Sequence, residues 1–255
     1  MAIVSVDLAY KTYSDVGAVV LREHRDHVCG ELLPIPLAGQ PSPADLATFL
    51  NQYCADADVR VLLLDGPQGW KAVDSTLADS RCCKRELNTP AKTGLPGSVK
   101  PAAYREFVSF SIQVFDEMCN LGWVRLSCVG AALHPKSRVV IESFPLSAWR
   151  SLRIVPLPAK RKTKAKDLEA SLQALGGILT LHLSGTPTHD QLQAVVAGLA
   201  GLAVEKNNWN ACVAAGVPPF ADHGCWREGF ILNATAGIRE ALSNIALEPS
   251  APTRV

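Results

Sequence analysis

The chain has 255 residues, 48% of them hydrophobic, and a formal net charge of +1 at pH 7. This length fits one large domain or two small ones, and the apolar share supports a sizeable buried core, which excludes disorder over most of the chain. A nearly neutral chain has no bulk electrostatic attraction for nucleic acid or for a membrane surface, so any such contact has to come from local charge.

Neither the apolar stretches nor the N-terminus indicates membrane insertion or export. Charged or polar residues interrupt each apolar stretch well short of the roughly 18 residues that a membrane-spanning helix needs. The opening sequence MAIVSVDLAYK lacks the basic region and cleavage site of a signal peptide and is typical of a strand. The eight cysteines contain no C-x-x-C pair, which favours reduced thiols in a cytoplasmic protein over a disulfide framework. We therefore expect no membrane partner.

The beginning of the chain predicts three strands, a helix and a buried fourth strand. Alternating apolar residues indicate strands over residues 2–10, 16–22 and 27–35, with a polar corner at 25–26. Ser42 and Pro43 are typical of a helix start, and apolar residues follow at helical spacing over residues 44–55. Residues 59–65 are nearly continuous in apolar side chains, as in a central parallel strand. A right-handed crossover places this fourth strand beside the first.

Residues 66–100 form a long connection that is rich in Gly, Pro, Lys and Arg and has little periodicity. A connection of that length inside a compact domain is usually functional or disordered. We expect a single domain over residues 1–247 with an insertion loop at 66–100. The later elements are predicted as helices over 101–121, 167–181, 189–205 and 236–246, a strand over 139–143, a basic loop over 156–166 and a flexible tail over 248–255.

Three carboxylates stand at or near the ends of short apolar strands: Asp7, Asp65 and Glu142. If the first and fourth strands are neighbours, Asp7 and Asp65 lie side by side at the edge where α/β sheets bind ligands, and Glu142 joins them. Converging carboxylates repel one another and need a cation, and hard oxygen ligands select Mg²⁺ or Mn²⁺. The alternative is that each acid caps a helix or pairs with Arg or Lys.

Asp190 follows His189 at the start of a predicted helix. An acid in the first helical turn is favoured by the helix dipole alone, and a fourth metal ligand or a water-orienting group is the functional alternative.

Basic residues near these acids are candidate contacts for substrate phosphates. Arg81, Lys84 and Arg85 lie in the loop that starts directly after Asp65, and a basic run occupies residues 159–166. Such a run can contact phosphates or form a solvated loop. Cys82 and Cys83 have no histidine nearby in sequence and lack the ligand spacing of structural zinc sites. The predicted substrate-binding residues are Lys11, Arg81, Arg85, Lys160 and Arg161.

Seven short segments, in order along nearly the whole chain, resemble the domain-of-unknown-function 429 family. They are VDLAYK (6–11), LLLDGPQGW (62–70), RCCKREL (81–87), ESFPLSAW (142–149), PAKRKT (158–163), THDQLQA (188–194) and REGFI (227–231). The chain departs from the family pattern at Gln193, where the family often has a second acid, and at Tyr10, where it often has Trp.

The resemblance implies a nuclease with a ribonuclease H-like fold. That fold is a mixed five-stranded sheet of order 3-2-1-4-5, with strand 2 antiparallel and helices on both faces. The resemblance also implies that the arginine–cysteine segment belongs to the wall of the site. The implied acidic set is Asp7, Asp65, Glu142 and Asp190.

The leading hypothesis is a metal-dependent nuclease or phosphodiesterase that acts on nucleic acid or a nucleotide through metal-activated water. In this hypothesis Asp7 bridges two Mg²⁺ ions, and Asp65 and Glu142 each complete the coordination shell of one ion. Asp190 binds or orients the second ion. Two alternatives are a non-catalytic binding or scaffold protein, which near-neutral charge and Gln193 favour, and an actin-like or sugar-kinase-like ATPase. The ATPase needs two such domains and is ranked third.

Overall fold

The computed structural model describes residues 1–24 and 27–243, with Ser243 described by its backbone alone. Its strands are β1 (Ala2–Asp7), β2 (Gly17–Glu23), β3 (Val28–Leu32), β4 (Val61–Asp65), β5 (Lys92–Thr93), β6 (Val99–Lys100), β7 (Val124–Arg125), β8 (Val139–Ser143), β9 (Leu181–Leu183), β10 (Cys212–Ala215), β11 (Phe220–Asp222), β12 (Cys225–Arg227) and β13 (Ile231–Ala234). Its helices are α1 (Pro43–Asp56), α2 (Cys82–Glu86), α3 (Arg105–Asn120), α4 (Pro145–Ser151), α5 (Ala165–Ile178), α6 (His189–Glu205) and α7 (Ile238–Ser243).

Within these ranges the main sheet has nine strands, in the order β10-β13-β8-β4-β1-β2-β3-β9, with β7 also paired to β8. Strand β2 is antiparallel to both β1 and β3, whereas β1, β4, β8 and β13 run parallel to one another. The predicted α/β class with a mixed sheet is confirmed. The predicted total of five strands is too small, because β7, β9, β10 and β13 extend the sheet.

Helices cover both faces of the sheet, as the sequence predicted. On one face α6 is buried along most of its length against β1, β2 and β4, and it is flanked by α4, α5 and α7. On the other face α1 and α3 pack against the alternate side chains of the same strands. Because both faces are covered, β1 and β4 are almost wholly buried, which explains their apolar sequences.

The segment over residues 66–100 is not the featureless loop that its composition suggested. It contains α2, β5 and β6. Its residues Trp70, Ala91 and Val99 form a small separate core with Val108 and Ile112 of α3. A buried acid, Glu228, fixes it: the carboxylate accepts the backbone N–H groups of Ala72 at 3.0 Å and Cys82 at 2.9 Å.

Element boundaries differ most where a neighbouring strand intervenes. The helix predicted over 167–181 is observed as α5 and ends at Ile178, because the following residues form β9 beside β3. The short helix α4 was not predicted. The corner 25–26, the end of the last predicted helix at 244–246 and the tail 248–255 lie outside the described residues. No helix in the described part of the chain is long and apolar enough to cross a membrane.

The first turn of α6 rests on the backbone of β2 at Gly17. Gly17 is the antiparallel partner of Asp7, and a Cβ atom at this position would lie 2.2 Å from the carbonyl carbon of Asp190. A backbone atom cannot move aside as the end of a side chain can, so a residue larger than glycine does not fit here. The absence of a side chain at Gly17 therefore places Asp190 beside Asp7.

We predict that Gly17→Ala lowers the free energy of unfolding by about 1–3 kcal/mol, the usual cost of overpacking a close contact. Gly176→Ala is the matched control, since it lies on exposed α5 with no atom within 4 Å of the added Cβ. That variant should be neutral or slightly more stable. Chemical denaturation of both measures the difference, and equal stabilities would contradict the close contact.

Candidate metal centre

Asp7 and Asp65 are direct partners at the ends of the parallel strands β1 and β4. Their half-buried carboxyl groups are joined by a side-chain hydrogen bond. Burial raises the pKa of Asp7 well above its usual value, and the charge of Asp65 raises it further. Burial also raises the pKa of Asp65, to about 6. Each carboxyl group therefore holds its proton to a higher pH than an exposed aspartic acid does.

Asp190 and His189, at the first turn of α6, complete a group with Asp7. One ligand atom from each of these three residues lies within 4.8 Å of the other two. His189 Nδ1 is 2.9 Å from Asp190 Oδ1, and its Nε2 is 3.1 Å from the carbonyl oxygen of Pro158. Because both neighbours accept hydrogen bonds, both bonds form together only when each ring nitrogen carries a hydrogen.

Lys160 supplies a positive charge to this group. Its ammonium donates to Asp190 and, at 2.7 Å, to Asp15. Burial alone would raise the pKa of Asp190, but the hydrogen bonds from His189 and Lys160 hold it below its usual value. The basic sequence around Lys160 predicts a contact with a substrate phosphate, whereas the structure pairs Lys160 with carboxylates. Arg161, on the same short helical turn, is exposed.

Ser143 adds an unpaired polar group at the same level of the sheet. It is the partner of Asp65 in β8, and its hydroxyl is buried without a hydrogen-bond partner among the described residues. A buried hydroxyl without a partner is costly, so a ligand or water at this edge would remove a penalty. The carboxylates and the hydroxyl offer oxygen atoms of the kind that hard cations prefer, and the ammonium of Lys160 supplies one positive charge beside them.

The structure does not bring Glu142 into this group. Glu142 is the partner of Leu64, one residue before the Asp65–Ser143 pair, so its side chain points to the opposite face of the sheet. There it is fully buried, and Arg81 donates to it at 2.6 and 2.7 Å. Lys84 lies 2.9 Å away.

Charge neutralisation explains why Glu142 stays ionised. Burial alone would raise the pKa of Glu142, but the charges of Arg81 and Lys84 hold it below its usual value. Arg81 is also fully buried and donates to the backbone oxygen of Glu228 at 2.8 Å. The prediction that Glu142 binds metal and Arg81 binds phosphate is therefore corrected: the two form a structural ion pair.

A cleft of about 440 Å³ opens beside Asp65. Aromatic rings form much of its wall, and the centroids of Tyr10 and Phe107 are 6.4 Å apart. Lys11 also lines the cleft, with its ammonium 5.6 Å from the Tyr10 ring. Arg85 is exposed on α2. The residues that give the cleft its character are Tyr10, Lys11, Asp65, Lys84, Tyr104, Phe107 and Phe144.

Some residues of the site were missed in the sequence. The sequence did not single out Asp15. It stands two residues before Gly17, which is the strand partner of Asp7 in the β1–β2 hairpin. Gln193, noted as a lost acid, accepts a hydrogen bond from the indole of Trp149 at 2.7 Å. Its side chain therefore serves the packing of α4 against α6. It is not part of the cluster of Asp7, Asp65, His189 and Asp190, which we call the carboxylate group.

No family model matches the sequence, and no curated protein matches it. Among solved structures, the chain is similar to Thermus thermophilus RuvC, with a TM-score of 0.41 and 9% identity. It is also similar to the same protein in complex with a Holliday junction substrate, with a TM-score of 0.39 and 10% identity. Each match covers 82% of this chain and 98% of the other.

We predict that Glu142→Gln lowers the free energy of unfolding by about 3–5 kcal/mol, because Arg81 and Lys84 would remain buried without their counter-charge. Asp79→Asn is the control: its ion pair with Lys100 is exposed, with 43% and 66% of the two side chains accessible. It should cost less than about 1 kcal/mol. Chemical denaturation of both variants measures the two losses in the free energy of unfolding. A small loss for Glu142→Gln would contradict the structural role of Glu142.

The raised pKa of Asp65 predicts a pH dependence of stability in the presence of EDTA. The folded-state pKa of Asp65 is about 6, above the value of about 4 in an unfolded chain. The stability that Asp65 contributes to the folded state is therefore fully present below about pH 4 and is lost as pH rises through about 6. The side chain of Asn is uncharged at every pH. The free energy of unfolding of Asp65→Asn, relative to that of the wild type, should therefore increase between about pH 4 and pH 6. A difference that does not change with pH would contradict the prediction.

Proposed function

We propose that this protein is a divalent-metal-dependent phosphodiesterase, acting as a nuclease on nucleic acid or on a nucleotide. The observation behind the proposal is that Asp7, at the carboxyl end of a central strand, lies close to two sets of groups. One is its strand partner Asp65, and the other is His189 with Asp190. That edge is where open α/β sheets bind their ligands. The contiguous strands β3-β2-β1-β4-β8, with β2 antiparallel, support a ribonuclease H-like fold, as the resemblance to the 429 family implies.

The residues present fit a Mg²⁺ or Mn²⁺ ion. Asp7 and Asp190 offer carboxylate oxygens, which these ions prefer, and Asp65 is hydrogen-bonded to Asp7. The ammonium of Lys160 already lies against Asp190, which indicates that the group attracts positive charge. A bound divalent cation would polarise a phosphoryl oxygen and lower the pKa of a water molecule.

The protein's own groups would prepare the site in two ways. A bound cation would displace the proton between the hydrogen-bonded carboxyl groups of Asp7 and Asp65, so both carboxylates would become available as ligands or bases. Lys160 is about half exposed and can move from Asp190 while it keeps its hydrogen bond to Asp15. In that position its ammonium faces the phosphate of an incoming substrate, the role that the sequence analysis gave it.

The cleft beside Asp65 supports a nucleotide substrate. Tyr10, Phe107 and Phe144 present aromatic rings on which a nucleobase can stack, and such stacking contributes about 1–3 kcal/mol per base. Lys11 lines the same cleft and provides positive charge for a phosphate, whereas the ammonium of Lys84 is buried against Glu142. Arg85 and Arg161 are exposed and stay proposed as outer phosphate contacts.

One observation favours the non-catalytic alternative. Lys160 neutralises Asp190 and Asp15 without any ion, so the acids already have a counter-charge. A binding or scaffold protein of this kind would show no Mn²⁺ binding that depends on Asp7, and calorimetry with Mn²⁺ distinguishes it from the enzyme.

We predict that Asp7→Asn reduces Mg²⁺- or Mn²⁺-dependent cleavage by more than about 100-fold, because loss of outer-shell partners alone costs about 10–100-fold at metal sites. The substrates are single- and double-stranded oligonucleotides and bis(p-nitrophenyl) phosphate. Asp79→Asn, which changes an acid that pairs with Lys100 and is not among the proposed metal ligands, is prepared in parallel and should keep full activity. Equal cleavage by both variants would show that the activity does not belong to Asp7.

A further inference from the structure

Three histidines and a cysteine meet at the edge of the sheet formed by β2, β3 and β9. His24 follows β2, His27 precedes β3, Cys29 lies on β3, and His182 lies on β9. These positions hold three of the six histidines in the chain. We call His24, His27, Cys29 and His182 the edge cluster. It lies outside the carboxylate group described above, and no step proposed there uses it.

Strand register places these residues on one face. Cys29 is the parallel partner of His182 and the antiparallel partner of Arg22, and partnered side chains share a face. Val28, between His27 and Cys29, is buried in the core beneath α6, so its two neighbours point to the other face. His24 is two residues beyond Arg22 and belongs to the same face.

The side chains are close enough to share an ion. One ligand atom from each of His24, His27 and Cys29 lies within 4.8 Å of the other two. The rings of His24 and His27 are stacked with centroids 4.9 Å apart, and His182 meets His27 edge-on at 4.9 Å. Around a tetrahedral Zn²⁺, neighbouring nitrogen and sulfur ligands are roughly 3.3–3.6 Å apart. Rotations of partly exposed side chains can supply the remaining adjustment.

Ligand chemistry separates this cluster from the carboxylate group. A thiolate with imidazoles selects Zn²⁺ and similar transition metals, whereas Mg²⁺ prefers oxygen ligands. Arg22 and Glu31 line a cavity of about 390 Å³ together with Cys29 and His182. Their opposite charges offset one another, so the neighbourhood does not repel a divalent cation.

We propose that the edge cluster binds one Zn²⁺-type ion through His24, His27, Cys29 and His182. The ion would join the β2–β3 hairpin to β9, a strand of only three residues at the end of the sheet. Binding there requires deprotonation of the Cys29 thiol, so the proton leaves to solvent as the metal–sulfur bond forms. The site is therefore structural, and it is independent of the proposed phosphodiesterase activity.

Cobalt titration of the full chain tests this proposal. Metal-free protein is kept reduced with a phosphine and titrated with Co²⁺. We expect a thiolate-to-cobalt charge-transfer band in the near ultraviolet that saturates at one equivalent and disappears when Zn²⁺ is added. Cys29→Ser should abolish the band, and Cys128→Ser, which removes an exposed cysteine elsewhere, should leave it unchanged.

Further variants separate the two metal sites and the folding of the protein. Asp7→Asn should keep the band, because the carboxylate group contains no cysteine. His182→Gln should weaken Co²⁺ binding at least about tenfold, while His134→Gln should not. Thermal unfolding in EDTA shows whether Cys29→Ser folds like the wild type, and Zn²⁺ should raise the melting temperature of the wild type more than that of Cys29→Ser. Absence of a band at one equivalent, or a band that survives in folded Cys29→Ser, would overturn the proposal.

Discussion

The close approach of α6 to the sheet is the constraint on which the candidate site depends. Gly17 lets the first turn of the helix lie on β2, and further along the helix Gly198 and Gly201 fit against the strands. A Cβ on Gly201 would lie 2.3 Å from a methyl group of Leu63. Small residues on both elements thus bring a helix end and two strand ends together. Asp190 reaches Asp7 only because this packing is tight.

The sheet separates two systems of charge that the sequence places at equivalent positions. On one side, Asp7 is hydrogen-bonded to Asp65 and lies near the half-exposed Lys160. On the other side, Glu142 is sealed by Arg81 and Lys84 and is fully ionised. A register difference of one residue in β8 decides which system an acid joins. One acid therefore holds the structure together, while the others remain available for a ligand.

Local signals predicted some of this and missed the rest for physical reasons. The start of α6 follows from the cap at Thr188, whose hydroxyl accepts from the N–H of Gln191, while the Gln191 side chain accepts from the N–H of Thr188. The pairing of Asp7 with Asp65 follows from crossover handedness and a doubly buried strand. The side on which Glu142 lies depends on register, which an apolar pattern does not encode when both faces are buried. The edge cluster depends on the pairing of β9 with β3, a contact between segments far apart in the chain.

Lys160 is in effect a tethered counter-ion. Because it is part of the chain, its effective concentration at Asp190 does not change when the solution is diluted, unlike that of a free salt cation. Any ion that binds at Asp190 has to compete with it. A monovalent ion brings the same charge as the ammonium it displaces and gains little Coulomb energy, whereas a divalent ion brings twice that charge. If the group binds a cation, as proposed, Lys160 would therefore favour a divalent ion over Na⁺ or K⁺ without a cavity shaped to exclude them.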